Sequence, residues 1–146
     1  MSWIDSRGAT LSELHKRGGL WVVEKLPDTG REKVECWTAT AKPKEKVQGL
    51  VSQWAQSGRL GKLPRTMEMR MRYFEAAMRH QGELMLIVRD AHNLRGFTLD
   101  KMRLFVKRGR VIVLEGDVAR ISVATDDYPG FWQRASYVVH VTRLFE

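Results

Sequence analysis

Residues 82–121 read GELMLIVRDAHNLRGFTLDKMRLFVKRGRVIVLEGDVARI, and this stretch decides the fold class. Its LMLIV run, 84–88, is unbroken apolar sequence, too short for an ordinary helix and bounded by Gly82 and Arg89-Asp90. Such a run marks a strand covered on both faces. VIVL at 111–114 repeats the pattern, and between the two Leu99, Met102 and Val106 fall on one face of a helix predicted over 98–107. Doubly buried strands joined by an amphipathic helix require a parallel crossover, so the chain is expected to be α/β with a mainly parallel sheet flanked by helices.

Outward from this stretch the pattern continues. YVVHV at 137–141 reads as a third buried strand. Over 44–57, Val47, Leu50, Val51 and Trp54 form one helical face behind Pro43; over 65–80, Met67, Met71, Phe74 and Met78 do the same. The methionine stripe is read as core filling. Arg65, Arg72 and Arg79 recur every seventh residue of the second helix and would share another face. Residues 10–17 suggest a short helix through Leu11 and Leu14. LWVVEK at 20–25 and KVECWTAT at 33–40 are β-rich, and the LPDTGRE connector carries Pro27 and Gly30 at turn positions. The span from Leu20 to Thr40 is therefore expected to be a β-hairpin, with Trp21 and Trp37 as a packed cross-strand pair or, less favoured, an exposed aromatic patch. The sheet would have five strands in a single domain, residues 1–146.

Composition narrows the partners. The 146 residues carry 25 Lys and Arg against 17 Asp and Glu, a formal charge of +8. The excess is concentrated: residues 42–110 hold 16 basic and 6 acidic side chains. A field of this kind draws polyanions by counterion release, so non-specific DNA binding leads and an acidic protein surface follows. No apolar run approaches a membrane span, and the first twenty residues lack a secretory pattern. Together with the single Cys36 this makes a cytoplasmic setting the expectation. His15, His80, His92 and His140 have no metal-ligand spacing, and Asp126-Asp127 lacks partner carboxylates, so no metal and no cofactor are expected.

The segment from Gly82 onward resembles the Walker B to sensor 1 region of AAA+ ATPases, in particular the transposition-regulator branch. That family has four apolar residues leading into Asp-Glu-Ala-His, then Asn-Leu, a helix, and a strand closing on a polar residue and Gly. Here Leu84 to Val88 lead into Arg89, Asp90, Ala91, His92, Asn93 and Leu94, and Leu114, Glu115 and Gly116 end the later strand. EKLPDTGRE, 24–32, is similar to the family's phosphate loop, and Arg134 matches loosely an Arg before the fifth core strand. The resemblance implies a P-loop-like fold and a nucleotide site, with the expected Leu20 to Thr40 hairpin standing in place of the phosphate loop and its helix.

The departures imply that the site is degenerate. Arg89 stands where a carboxylate would hold Mg²⁺ through water, leaving Asp90 alone in the second position. Lys25 and Asp28 replace loop glycines, Gly30 is kept, Arg31 replaces the lysine and Glu32 the hydroxyl residue. Chain end Glu146 follows the fifth strand directly, so no helical lid is expected. No catalytic residue is assigned. The resulting expectation is a non-catalytic AAA+-like protein that binds DNA or an acidic or AAA+ protein partner and modulates a transposition- or phage-type nucleoprotein machine, as a possible homo- or hetero-oligomer, decoy subunit or inhibitor. Arg65, Arg72, Arg79, Arg95, Arg103, Lys107, Arg108 and Arg110 are the candidate phosphate contacts. A minimal NTPase using Arg31 and Asp90, and an interaction protein that ignores DNA, are the alternatives.

Overall fold

The structure is a computed structural model that describes residues 2–4, 16, 18–25, 34–137 and 140–142. Strands β1 (Ser2–Ile4), β2 (Gly19–Val23) and β3 (Glu35–Thr40) come first, followed by helices α1 (Val47–Ser57) and α2 (Met67–Arg79) and strand β4 (Leu84–Arg89). A 3-10 turn (Ala91–Asn93), α3 (Gly96–Lys101), a second 3-10 turn (Met102–Phe105) and β5 (Arg110–Glu115) follow. The chain continues through α4 (Val118–Ala124) and α5 (Pro129–Arg134) to β6 (Ala135–Tyr137) and β7 (His140–Thr142).

The main sheet is parallel, in the order β3-β4-β5-β2-β6. Four of its strands have five or six residues; β6, at the edge, has three. The α/β expectation therefore holds, with helices packed on a parallel sheet. Right-handed crossovers explain the layering: β3 to β4, β4 to β5 and β5 to β6 all advance in one direction across the sheet, so their helices share a face. All five described helices bury side chains in one cluster with Leu20, Val22, Trp37, Leu86, Ile112 and Leu114. Trp21, Val23, Met85, Ile87, Val111 and Val113 form a smaller cluster from the opposite pleat.

The hairpin expected between Leu20 and Thr40 is corrected. β2 and β3 run in the same direction with β4 and β5 between them. Trp21 and Trp37 are both fully buried but on opposite sheet faces, so they form neither a pair nor a patch. Pro-Asp-Thr-Gly chemistry signals a change of direction without naming the next strand's neighbour. The strands are also shorter than read, leaving residues 24–34 between them. Returning along the sheet and passing two strands spans about 22 Å, well within the roughly 36 Å that eleven extended residues reach, so a crossover needs no helix. Most of this connector, 26–33, lies outside the described residues, as does all of the expected 10–17 helix except helical Lys16.

Other elements differ in detail. The helix expected over 98–107 divides after Lys101 into a 3-10 turn, because Leu99, Met102 and Phe105 are buried at a spacing of three, the 3-10 repeat. The strand expected over 137–141 is two strands: β6 pairs with β2, and β7 pairs antiparallel with β1. Only the second half of the methionine stripe is core. Phe74 and Met78 are buried, whereas Met67 is exposed and Met71 half-buried.

The aromatic centre fixes the helical layer to the sheet. Trp54 stacks on Phe74 at 6.0 Å and meets Phe105 edge-on at 5.4 Å, and its Nε1 donates to the Ile87 carbonyl at 2.9 Å. At the open edge, Gln53 bonds both the N–H and the carbonyl of Thr40, and Ser57 accepts from the Thr38 N–H. Helix α1 thus satisfies polar backbone that an edge strand would leave bare.

Candidate functional site

In an open α/β sheet, ligands settle beyond the carboxyl ends of the strands where the connections diverge. Here β5 and β2 are neighbours, and the chain leaves them in opposite directions across the sheet. Register pairs Val23 with Glu115 and Val88 with Leu114, so Glu24-Lys25, Arg89-Asp90 and Glu115-Gly116 form one crest. Lys25, Arg89 and Asp90, three of the residues expected at a degenerate nucleotide site, therefore lie along one edge of the sheet. Asp28, Gly30, Arg31 and Glu32 lie outside the described residues. Arg134 sits at the opposite end of the sheet, immediately before β6, whose Ala135 pairs with Leu20.

The crest's polar groups are bonded to one another. Helix α4 begins there, and its first amides need acceptors. Asp117 caps it, accepting from the Arg120 N–H at 3.2 Å; Glu24 accepts from the Val118 N–H at 3.3 Å; His92 Nδ1 accepts from the Asp117 N–H at 3.0 Å. Gly116 makes this possible, since a Cβ there would lie 2.6 Å from His92 Nδ1. Asn93 donates to the Ala41 carbonyl at 2.9 Å, and Ala41 N–H donates to the Arg89 carbonyl at 2.8 Å. Ala91 and Leu94 are core residues. The Asp-Ala-His-Asn-Leu stretch thus acts as a clamp joining the ends of β3, β4 and β5. Asp90 enters it in the left-handed conformation, φ 55°, with its side chain exposed.

The candidate phosphate contacts separate into two groups. Arg72 pairs with Glu68 at 2.9 Å and Arg103 donates to Asp100 at 3.0 Å. Lys107 and Arg110 both hold Glu75, at 2.9 and 3.1 Å, and Arg110 also donates to the Phe105 carbonyl. Arg110 is only 6% exposed, leaving little of it for a ligand. Burial of Glu75 would raise its carboxyl, but the hydrogen bonds and charges of Arg110 and Lys107 outweigh this and hold it below the ordinary value.

Arg65, Arg79, Arg95 and Arg108 are exposed and have no ion pair among the described residues. Arg65 precedes α2, whose cap is Thr66, so it does not continue a helical stripe with Arg72 and Arg79. Instead it joins Arg59, Lys62 and Arg70 around a depression of about 460 Å³ beside α1, completed by Ser52 and Gln56 and containing no carboxylate in its lining. Left-handed Arg59 and Gly61 shape this loop, and Arg70 Nε braces it on the Pro64 carbonyl at 2.6 Å. Arg79 and Arg108 line a second depression of about 700 Å³ with Lys16, Lys107 and Glu83. Arg95 borders a third groove, whose lining mixes apolar and cationic residues. Arg59 and Lys62 lie between the two expected helices, and Arg70 falls off the every-seventh arginine series of the second, so the sequence reading passes over all three; three cations within Arg59 to Arg65 were the available signal.

Among the described residues no helix is long and apolar enough to cross a membrane. No protein-family model matches the chain, and comparison with curated proteins finds no match.

Proposed function

We propose that this chain is a non-catalytic α/β protein on an AAA+-like plan that binds the backbone of DNA through the cations of its α1–α2 loop. The observation that carries this is the depression ringed by Arg59, Lys62, Arg65 and Arg70 with no carboxylate in its lining. Unpaired guanidinium and ammonium groups in a connecting loop are free to replace condensed counterions, giving binding that is salt-sensitive and indifferent to sequence. Arg79 and Arg108 extend the contact surface.

Two features support the non-catalytic part. A three-turn helix needs about eleven residues, which is all of 24–34, leaving nothing for a phosphate loop. At the crest, Arg89 opposes a divalent metal, and Glu24, His92 and Asp117 serve α4. The AAA+-like plan rests on the resemblance of 82–121 and is supported by the meeting of β2, β4 and β5 ends beside the sheet's switch point. From that resemblance follows the biological reading: an accessory subunit, decoy or inhibitor in a transposition- or phage-type nucleoprotein machine.

An electrophoretic shift with a random-sequence duplex at low salt tests the binding. Combined Arg59→Ala, Lys62→Ala and Arg65→Ala should weaken it about thirtyfold, whereas Asp90→Ala should leave it unchanged. Absence of any shift, or equal shifts for wild type and the triple variant, would remove the proposal. Calorimetry with Mg-ATP should show no heat of binding; micromolar binding would remove the reading of a lost nucleotide site.

A further inference from the structure

The groove between α1, α2 and α3 has a different chemistry from the loop depression. It measures about 750 Å³ and its walls include Val47, Met67, Met71, Phe97, Leu104 and Phe105. Three of these side chains stand well out into solvent: Leu104 is 72% exposed, Phe97 57% and Met67 40%. Cations surround them, namely Lys44, Lys46, Arg95 and Lys101. Lys101 Nζ sits 4.5 Å from the centre of the Phe97 ring, which holds the ammonium at the groove's lip. The single carboxylate in the lining, Glu75, is already neutralised by Lys107 and Arg110.

We propose that this groove docks an acidic amphipathic helix of a partner protein. Apolar anchors at helical spacing would cover Met67, Phe97 and Leu104, and flanking carboxylates would meet the four cations, the helix-in-groove mode of recognition. The exposed lips favour a helix over a small amphiphile, because a pocket built for a small ligand buries its apolar lining, whereas here the apolar groups project beyond it. Charge complementarity sets the sign of the partner: an unbalanced rim of cations repels a basic helix. The inference does not depend on DNA binding, since none of the groove residues lines the loop depression.

The test is fluorescence anisotropy with a dye-labelled peptide of about fourteen residues carrying Leu at helical spacing and Glu elsewhere, beside a second peptide in which every Glu is Lys. The acidic peptide should bind in the micromolar range and the basic one at least tenfold more weakly. Phe97→Asp with Leu104→Asp should lower acidic-peptide binding at least tenfold, while an unchanged thermal midpoint shows that these exposed positions are not needed for folding. Lys44→Glu with Lys101→Glu should reverse the preference between the peptides. Combined Arg59→Ala, Lys62→Ala and Arg65→Ala should leave peptide binding intact, which separates this site from the proposed DNA surface. Equal binding of both peptides, binding of neither, displacement of the acidic peptide by laurate or by a duplex, or self-association abolished by Phe97→Asp would each overturn the proposal.

Discussion

The crest of the sheet and the α1–α2 loop are both rich in charge, yet they use it in opposite ways. At the crest, Glu24, His92 and Asp117 accept from the backbone amides that open α4, and Asn93 ties the end of β3 to that of β4. In the loop, Arg59, Lys62 and Arg65 have no carboxylate within reach among the described residues, and the backbone is propped open by two left-handed residues. The crest's polar residues therefore hold the fold together, and an unremarkable turn carries the uncommitted charge.

The contrast can be broken most forcefully by charge reversal. Changing Arg59, Lys62 and Arg65 together to Glu should cost at least about a hundredfold in duplex affinity at low salt, since attraction becomes repulsion at each phosphate contact. Arg89→Ala at the crest should change it less than about threefold. Comparable losses at both places, in a quantitative binding titration, would erase the distinction.

Stability measurements sharpen the other side. Gly116→Ala should destabilise by about 2 kcal/mol in urea unfolding, because the new methyl strikes His92 Nδ1. His92→Ala should relieve part of that clash, so the double variant should be less destabilised than the two single effects combined. Strict additivity would show that the clamp does not work through this contact.

A smaller effect belongs to the Glu75 ion pairs. Glu75→Gln leaves Arg110 buried without its counter-charge and should cost about 1–2 kcal/mol at neutral pH. A carboxyl held below its ordinary value stabilises the fold fully above that value. The benefit is lost as the pH falls through the lower folded-state value. The gap between wild type and variant should accordingly narrow in acid, and a gap that widens would contradict the assigned pairing. Smallest of all, Arg72→Ala should stay within about 0.5 kcal/mol, because that pair is 73% and 75% exposed.

Much of the layer structure was legible in the chain. LMLIV and VIVL announce strands buried on both faces, and α1 declares itself through Leu50, Val51 and Trp54. Strand pairing was harder. A local run shows that a strand exists but carries little information about its neighbour, and the turn chemistry at Pro27 suggested a hairpin that the sheet does not contain. One clue was present: LWVV is continuous like β4 and β5, and β2 is indeed buried throughout, whereas β3 alternates as an edge strand does. The basic surface was legible as a total and not as a map. Lys107 and Arg110 find their carboxylate on Glu75, more than thirty residues away in sequence, so which cations remain free is a property of the fold.

The most direct test of the whole account is the salt dependence of duplex binding. Plotting log K against log salt for wild type and for the Arg59→Ala, Lys62→Ala, Arg65→Ala variant should give lines whose slopes differ by about 2.7, three phosphate contacts' worth, with Asp90→Ala parallel to wild type. Parallel lines for wild type and the triple variant, or a shallower line for Asp90→Ala, would place the nucleic-acid contact somewhere other than the loop.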